Sequence, residues 1–167
     1  MKINKAFFIF LFSTLFLSSC QNSFINSENN NVQIYFKYGH KNVLNTFENT
    51  FQKDMVLDGV IKIKFYLTPE EQNQILIKAN SINYFSLPDT FKYIPVNGVI
   101  KETDPNPGEQ ILRIKYHQRD KRIIWTYPLN DDFPKVKDLI ELKNFIISII
   151  TSKPDYKKLP APKSGYQ

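Results

Sequence analysis

The sequence has little cysteine and little glycine: one cysteine, Cys20, and 5 glycines in 167 residues. A single cysteine cannot form an intramolecular disulfide, and once its thiol is modified it cannot ligate zinc. The dinucleotide-binding glycine run, the P-loop, the HExxH motif and the nucleophile elbow are all missing. The sequence therefore predicts no cofactor and no metal, and stability has to come from a hydrophobic core.

The excess of positive charge is also small. The formal net charge is +6, and residues 1–19 hold two lysines and no acid, so the rest has 22 − 2 = 20 basic and 16 acidic residues, or +4. These charges are spread along the chain, whereas nucleic-acid-binding proteins concentrate basic residues in a patch or stripe. We therefore expect no nucleic-acid partner.

The first 19 residues have the pattern of a secretory signal peptide. Lys2 and Lys5 precede an apolar run over residues 6–17, and small residues follow it. The alternative is a transmembrane anchor, but the run is shorter than the roughly 20 residues that cross a bilayer. We expect the segment to be removed after export.

The next four residues, Leu17-Ser18-Ser19-Cys20, resemble the lipobox of bacterial lipoproteins. This resemblance implies cleavage before Cys20, a diacylglyceryl group on its sulfur and an acylated amino terminus, which together anchor the chain stably to a membrane. The residue after the cysteine is Gln21 rather than Asp, which resembles the pattern that sorts lipoproteins to the outer membrane and predicts a location on its periplasmic side. The alternative is a soluble exported protein with an unmodified thiol.

The remaining sequence predicts three segments. Residues 20–31 are rich in Asn and Ser and read as a flexible tether, and residues 32–152 form a single α+β domain. Residues 153–167 are predicted to be an extended tail, because Leu159-Pro160-Ala161-Pro162 favours polyproline-like structure.

Alternating apolar residues predict five strands. They cover residues 32–38, about 47–55, 60–67, 112–117 and 123–127. Asp58-Gly59 is typical of a type I′ hairpin turn, and residues 118–121 are predicted to be the turn of the second hairpin.

Two helices complete the predicted domain. Thr68, Pro69 and Glu71 form a helix start with a capping box, and the apolar stripe continues to Ile82. The second helix covers about 133–151. The order βββαββα predicts an α+β fold: an antiparallel sheet of about five strands with two helices packed on one face, the other face being open to water.

Few residues suggest catalysis. His40 lies in a predicted turn and His117 at a strand end, where either could assist a carboxylate such as Asp120. The loop over 89–110 is long enough to be functional. The acidic pairs Glu70-Glu71 and Asp131-Asp132 are explained by helix amino termini rather than by a metal.

The outward side of the predicted sheet suggests binding. If the third and fourth strands are neighbours, they form a basic, aromatic-edged surface from Lys62, Lys64, Tyr66, Arg113, Lys115 and His117. Such a surface fits an anionic envelope component or an acidic protein partner. The alternative is an ordinary solvated face, because exposed strands often carry lysine.

Several short stretches are distinctive: Phe85-Ser86-Leu87-Pro88-Asp89, Thr103-Asp104, Lys153-Pro154-Asp155-Tyr156, Leu159-Pro160 and Gly165-Tyr166. Together with the strand alternation they resemble uncharacterised small lipoproteins of Bacteroidetes-type bacteria. This resemblance implies the helix-and-hairpin order but no catalytic residue. Two hypotheses follow: a membrane-anchored, non-enzymatic binding module, or a hydrolase-like envelope enzyme with a site near His117 and the 89–110 loop.

Overall fold

The fold is α+β. The computed structural model describes residues 32–92, 108–126, 129 and 134–166. The strands are β1 (Gln33–Tyr38), β2 (Asn42–Asn45), β3 (Thr50–Asp54), β4 (Val60–Lys64), β5 (Thr90–Phe91), β6 (Glu109–Tyr116) and β7 (Arg119–Thr126). The helices are α1 (Pro69–Ser81), α2 (Pro134–Ser152) and α3 (Pro154–Lys157). The predicted signal peptide, Cys20, the tether and Asp131-Asp132 lie outside the described residues.

The sheet is larger than predicted and is mixed. Its order is β4-β3-β2-β1-β6-β7-β5, and every neighbouring pair is antiparallel except β5 and β7, which are parallel. The prediction of about five strands was too low. The predicted antiparallel arrangement was wrong for one pair, because β5 runs parallel to β7. Strand β5 was missed because a strand of two residues, Thr90 and Phe91, is too short to produce a periodic pattern.

The predicted second strand is two strands. Residues 46–49 make a turn between β2 and β3, which pair with each other through Leu44 and Phe51. Asn49 adopts a positive φ of 53° in this turn, a conformation that asparagine tolerates better than most residues. The turn contains neither glycine nor proline, the residues from which a turn is usually predicted, and was therefore not predicted.

Both hairpin turns also differ in detail from the predictions. Asp58-Gly59 ends a five-residue connection, residues 55–59, that contains a 3-10 turn at Val56–Asp58, and only Gly59 of the pair has a positive φ. It is not a type I′ turn. The β6–β7 turn consists of His117 and Gln118 alone, whereas the predicted turn covered residues 118–121, and His117 has a positive φ of 52°.

The start of α1 was predicted correctly. The Thr68 hydroxyl oxygen accepts from the Glu71 backbone N–H at 3.1 Å, and the Glu71 carboxylate accepts from the Thr68 N–H at 2.7 Å. Pro69 occupies the first helical position, and the apolar stripe is buried as far as Ile82. This capping box fixes where the chain turns from the sheet edge into the helix layer.

One side of the sheet forms the core. Phe36 is paired with Leu44 on β2 and with Leu112 on β6, which in turn faces Ile123 on β7, and all four are fully buried. Apolar residues of α1 and α2 join the same cluster, including Ile75, Ala79, Leu139, Leu142 and Ile146. We call this side of the sheet the inner face. In the described part of the chain, no helix is long and apolar enough to cross a membrane.

The carboxyl-terminal segment packs against β3 and the turn between β1 and β2. It starts with the helical turn α3, at residues that the sequence analysis placed in the extended tail. Beyond α3, the Lys53 ammonium donates to the Pro160 carbonyl at 2.8 Å, and the Tyr166 hydroxyl donates to the Asp54 carboxylate at 2.8 Å. The Tyr166 ring stacks on His40 with centroids 3.6 Å apart. These contacts hold the segment along β3 and the β1–β2 turn.

Candidate functional site

The side of the sheet opposite the core carries the candidate site, and we call it the outer face. Residues paired across strands share a face, so one row contains Tyr35 on β1, Arg113 on β6 and Arg122 on β7. The next row contains Gln33, Lys115 and Asp120. Since the apolar residues of α1 and α2 join the core of the inner face, these polar rows lie on the side that the helices leave open.

Arg113 contacts both a carboxylate and an aromatic ring on this surface. Its Nε and Nη2 atoms donate to the two carboxylate oxygens of Asp120 at 2.8 and 2.6 Å, and its guanidinium lies 4.9 Å from the ring centroid of Phe47. The hydrogen bonds to Asp120 raise the pKa of Arg113, and those from Arg113 lower the pKa of Asp120. Carboxylate and ring therefore hold the guanidinium in one orientation.

The outer face between β1 and β7 has an excess of positive charge. Its basic side chains are Lys37, Arg113, Lys115 and Arg122, and its acidic side chains are Glu109 and Asp120. Asp120 is bound to Arg113, and Glu109 lies 3.9 Å from Arg122 with both side chains about half exposed, which is a weak ion pair. Lys37 and Lys115 add positive charge beside them.

The outer face is not purely polar. Val43 pairs with Lys37, and Lys37 with Ile111, which faces Ile124 on β7. Val43 and Ile124 are half-buried, and Ile111 is buried although it does not belong to the main core cluster. This row thus contains three apolar side chains and Lys37, and of the apolar ones only Val43 and Ile124 are partly exposed, so the surface offers limited apolar contact beside the charged rows.

The predicted basic surface is divided in two. Lys62 and Lys64 lie on β4 and Arg113 and Lys115 on β6, on the same face, but β3, β2 and β1 separate the two strands. At roughly 4.8 Å per strand, the two groups are about 19 Å apart. The condition that the two strands are neighbours is therefore not met, because β1 rather than β4 pairs with β6.

The remaining two residues of that set lie at strand ends. Tyr66 follows β4 and is exposed, and His117 occupies the β6–β7 turn. The Tyr116 ring lies against the His117 ring with centroids 4.1 Å apart. The residues of the candidate surface that the sequence analysis left out are Tyr35, Phe47, Asp120 and Arg122, since only the strand register shows that they surround Arg113.

The geometry around the two histidines gives little support to acid–base catalysis. Asp120, the carboxylate considered as a partner for His117, has both oxygens bound to Arg113. The His40 ring is stacked on Tyr166. Most of the 89–110 loop lies outside the described residues. Within 32–92, 108–126, 129 and 134–166, no three His, Cys, Asp or Glu side chains are grouped so that they could hold a metal ion.

Comparison with known proteins adds no relative. A scan of protein-family models gives no match, and comparisons with curated proteins and with solved structures give none either. A functional hypothesis therefore depends on the sequence pattern and on the geometry described above.

Proposed function

We propose that this chain is a membrane-anchored envelope lipoprotein whose folded part is a non-enzymatic binding module. The lipid is attached at Cys20, the address is the periplasmic side of the outer membrane, and residues 20–31 connect lipid and domain. The pattern of residues 1–20 supports this address. Mass spectrometry of the native protein tests it: we expect a chain that begins at an acylated Cys20, and retention of residues 1–19 or an unmodified Cys20 would refute it.

The observation that supports the binding function is the set of basic and aromatic side chains on the outer face, opposite the side against which the described helices pack. Tyr35, Phe47 and the oriented guanidinium of Arg113 form a platform on rigid strands, flanked by Lys115 and Arg122. Aromatic side chains and arginine supply much of the binding energy in protein interfaces. The excess of basic over acidic groups on this platform fits an anionic partner, and we favour an acidic protein surface, because the partly exposed Val43 and Ile124 beside the platform also fit an apolar counterpart.

The competing enzyme hypothesis places a hydrolase-like site near His117. It needs a carboxylate that is available to orient or accept a proton from the imidazole. The engagement of Asp120 by Arg113 is the observation that favours the binding module over this alternative.

A matched pair of charge reversals tests the binding function. Lys115→Glu with Arg122→Glu changes the outer face, and Lys135→Glu with Lys137→Glu makes the same change of net charge on exposed positions of α2. With poly-glutamate as the probe, we expect the outer-face double variant to lose about tenfold or more in affinity, as charged interface pairs do. The α2 double variant should bind as the unchanged protein does.

The control decides the interpretation. If both double variants weaken binding equally, the attraction reflects net charge alone and the proposed surface is wrong. If neither variant changes the binding of poly-glutamate, the outer face is not a docking site for an acidic protein.

A further inference from the structure

The two edges of the sheet differ in how much backbone they leave unpaired. Strand β5 forms one edge and has only two residues, whereas β4 forms the other edge and has five. Among the described residues, β3 is the only strand that pairs with β4. A long, open strand edge is a template on which a further strand can be added.

The hydrogen-bond pattern shows which backbone groups of β4 point to the open side. The Met55 N–H donates to the Gly59 carbonyl at 2.9 Å and the Phe65 N–H to the Asn49 carbonyl at 2.8 Å. Both pairs continue the β3–β4 register, in which hydrogen-bonded and non-bonded pairs alternate. Ile61 and Ile63 therefore bond to β3, and the backbone N–H and C=O groups of three residues point away from it: Val60, Lys62 and Lys64.

The side chains around this edge combine apolar and basic character. Leu57 is 81% exposed, Val60 43% and Tyr66 55%, and Ile61 and Ile63 are half-buried on the inner face. Lys62 and Lys64 are exposed on the outer face. Lys62 forms an ion pair with Glu48 at 3.3 Å, but both side chains are more than half exposed, so the pair is weak and a partner's carboxylate can compete for Lys62. Edge lysines guard many sheets against aggregation, but such a guard does not require exposed apolar residues at both ends of the strand.

We infer that β4 is a docking edge for an extended, acidic segment of a partner protein, which adds an eighth strand to the sheet. This inference rests on the proposed binding function and names a second surface of the same module. The added strand takes its backbone hydrogen bonds from Val60, Lys62 and Lys64. Its acidic side chains lie opposite Lys62 and Lys64, and its alternate, apolar side chains cover Ile61 and Ile63.

A second copy of the chain fits this edge poorly. The antiparallel pairing that uses all five residues of β4 places Lys62 opposite Lys62 of the second copy. Like charges directly opposite each other destabilise a strand pair. An acidic strand has the complementary charge at the same positions, which is why we assign the edge to a different chain.

The test uses the full chain and a short fluorescent peptide that alternates glutamate and valine. We expect it to bind, and a peptide that alternates lysine and valine should not. Lys62→Pro removes an outward N–H without removing a bond to β3, so it should weaken binding by about tenfold. Lys62→Thr is the matched control, since it keeps the N–H and loses only the charge; it should weaken binding by about two- to fivefold.

Amide hydrogen exchange gives a second readout that does not depend on the folding of a proline variant. Peptide binding should slow exchange at Lys62 and Lys64 and leave Ile61 and Ile63, already bonded to β3, nearly unchanged. Equal binding of the acidic and basic peptides, or unchanged exchange at Lys62, would overturn the inference.

Two further outcomes separate this inference from the proposed function. If Lys62→Pro binds the acidic peptide normally while Lys115→Glu with Arg122→Glu does not, the edge assignment is wrong and the outer face remains the binding surface. If the chain sediments as a dimer that Lys62→Pro converts to a monomer, the occupant is a second copy and the assignment to an acidic partner is wrong.

Discussion

The two faces of the sheet are built from alternate residues of the same strands, yet they differ in side-chain chemistry and in burial. On β1, Phe36 is fully buried on the inner face, and its neighbour Tyr35 lies on the outer face beside Arg113. Most of the buried apolar residues of α1 and α2 belong to the core cluster of the inner face, which holds most of the large buried apolar side chains, whereas Ile111 is buried on the outer face. Stability thus comes mainly from the inner face, and the outer face carries charged and aromatic side chains.

Truncation of neighbouring aromatic residues on β1 gives the largest expected difference between the faces. Phe36→Ala should lower the free energy of unfolding by about 3–5 kcal/mol, because it removes a buried ring and leaves a cavity. Tyr35→Ala should cost less than about 1.5 kcal/mol. Urea unfolding measures both. Similar losses for the two variants would show that the outer face is part of the core.

A buried hydroxyl provides the next contrast. Tyr84 is fully buried between the sheet and α1, and its hydroxyl donates to the Leu112 carbonyl at 2.6 Å, while burial raises its pKa. Tyr84→Phe leaves that carbonyl without this donor and should cost about 1–3 kcal/mol. Tyr66→Phe makes the same change on an exposed ring and should alter stability by less than about 0.5 kcal/mol. A negligible cost at Tyr84 would contradict the assigned hydrogen bond.

Two ion pairs that differ in burial give the next comparison. Lys153 and Glu71 lie 2.6 Å apart with side chains 13% and 23% exposed, whereas Arg113 and Asp120 on the outer face are 41% and 38% exposed. Glu71→Gln keeps the capping box and should cost about 1–2 kcal/mol, while Asp120→Asn should cost less than about 1 kcal/mol. Urea unfolding of both amide variants checks the order, and a larger loss at Asp120 would reverse it.

The smallest expected effect is a pH dependence on the outer face. Arg113 lowers the pKa of Asp120 in the folded protein relative to the unfolded chain. The contribution of Asp120 to stability is therefore fully present above its unfolded pKa of about 4 and is lost as the pH falls through the lower, folded value. The stability difference between the unchanged protein and Asp120→Asn should vanish over this acidic range. A difference that persists at the lowest pH would mean that charge is not its source.

Local chemistry determined which parts of this fold were predictable. The capping box at Thr68–Glu71 and the apolar stripe of α1 depend on residues a few positions apart, and the sequence predicted both. The inner and outer positions of β1 also followed from alternation. The α2 helix, predicted over about 133–151, is observed over Pro134–Ser152.

Long-range pairing was not predictable in the same way. The β1–β6 pair joins Gln33 to Lys115, and no local pattern indicates that these distant segments are neighbours. The predicted surface therefore combined Lys62 with Arg113, while Tyr35 and Phe47, which surround Arg113, were left out. The turn at 46–49 was missed because its positive φ is adopted by Asn49, and asparagine indicates a turn less strongly than glycine does.

The most direct measurement of whether the outer face is the working surface is site-specific photo-cross-linking in intact cells. A photoreactive residue at Tyr35 reports on the outer face, and one at Ile77, which is 59% exposed on α1, reports on the helix layer. We predict a discrete protein adduct from position 35 that disappears with Lys115→Glu and Arg122→Glu and persists with Lys135→Glu and Lys137→Glu. The same adducts from both positions, or none from position 35, would contradict the account.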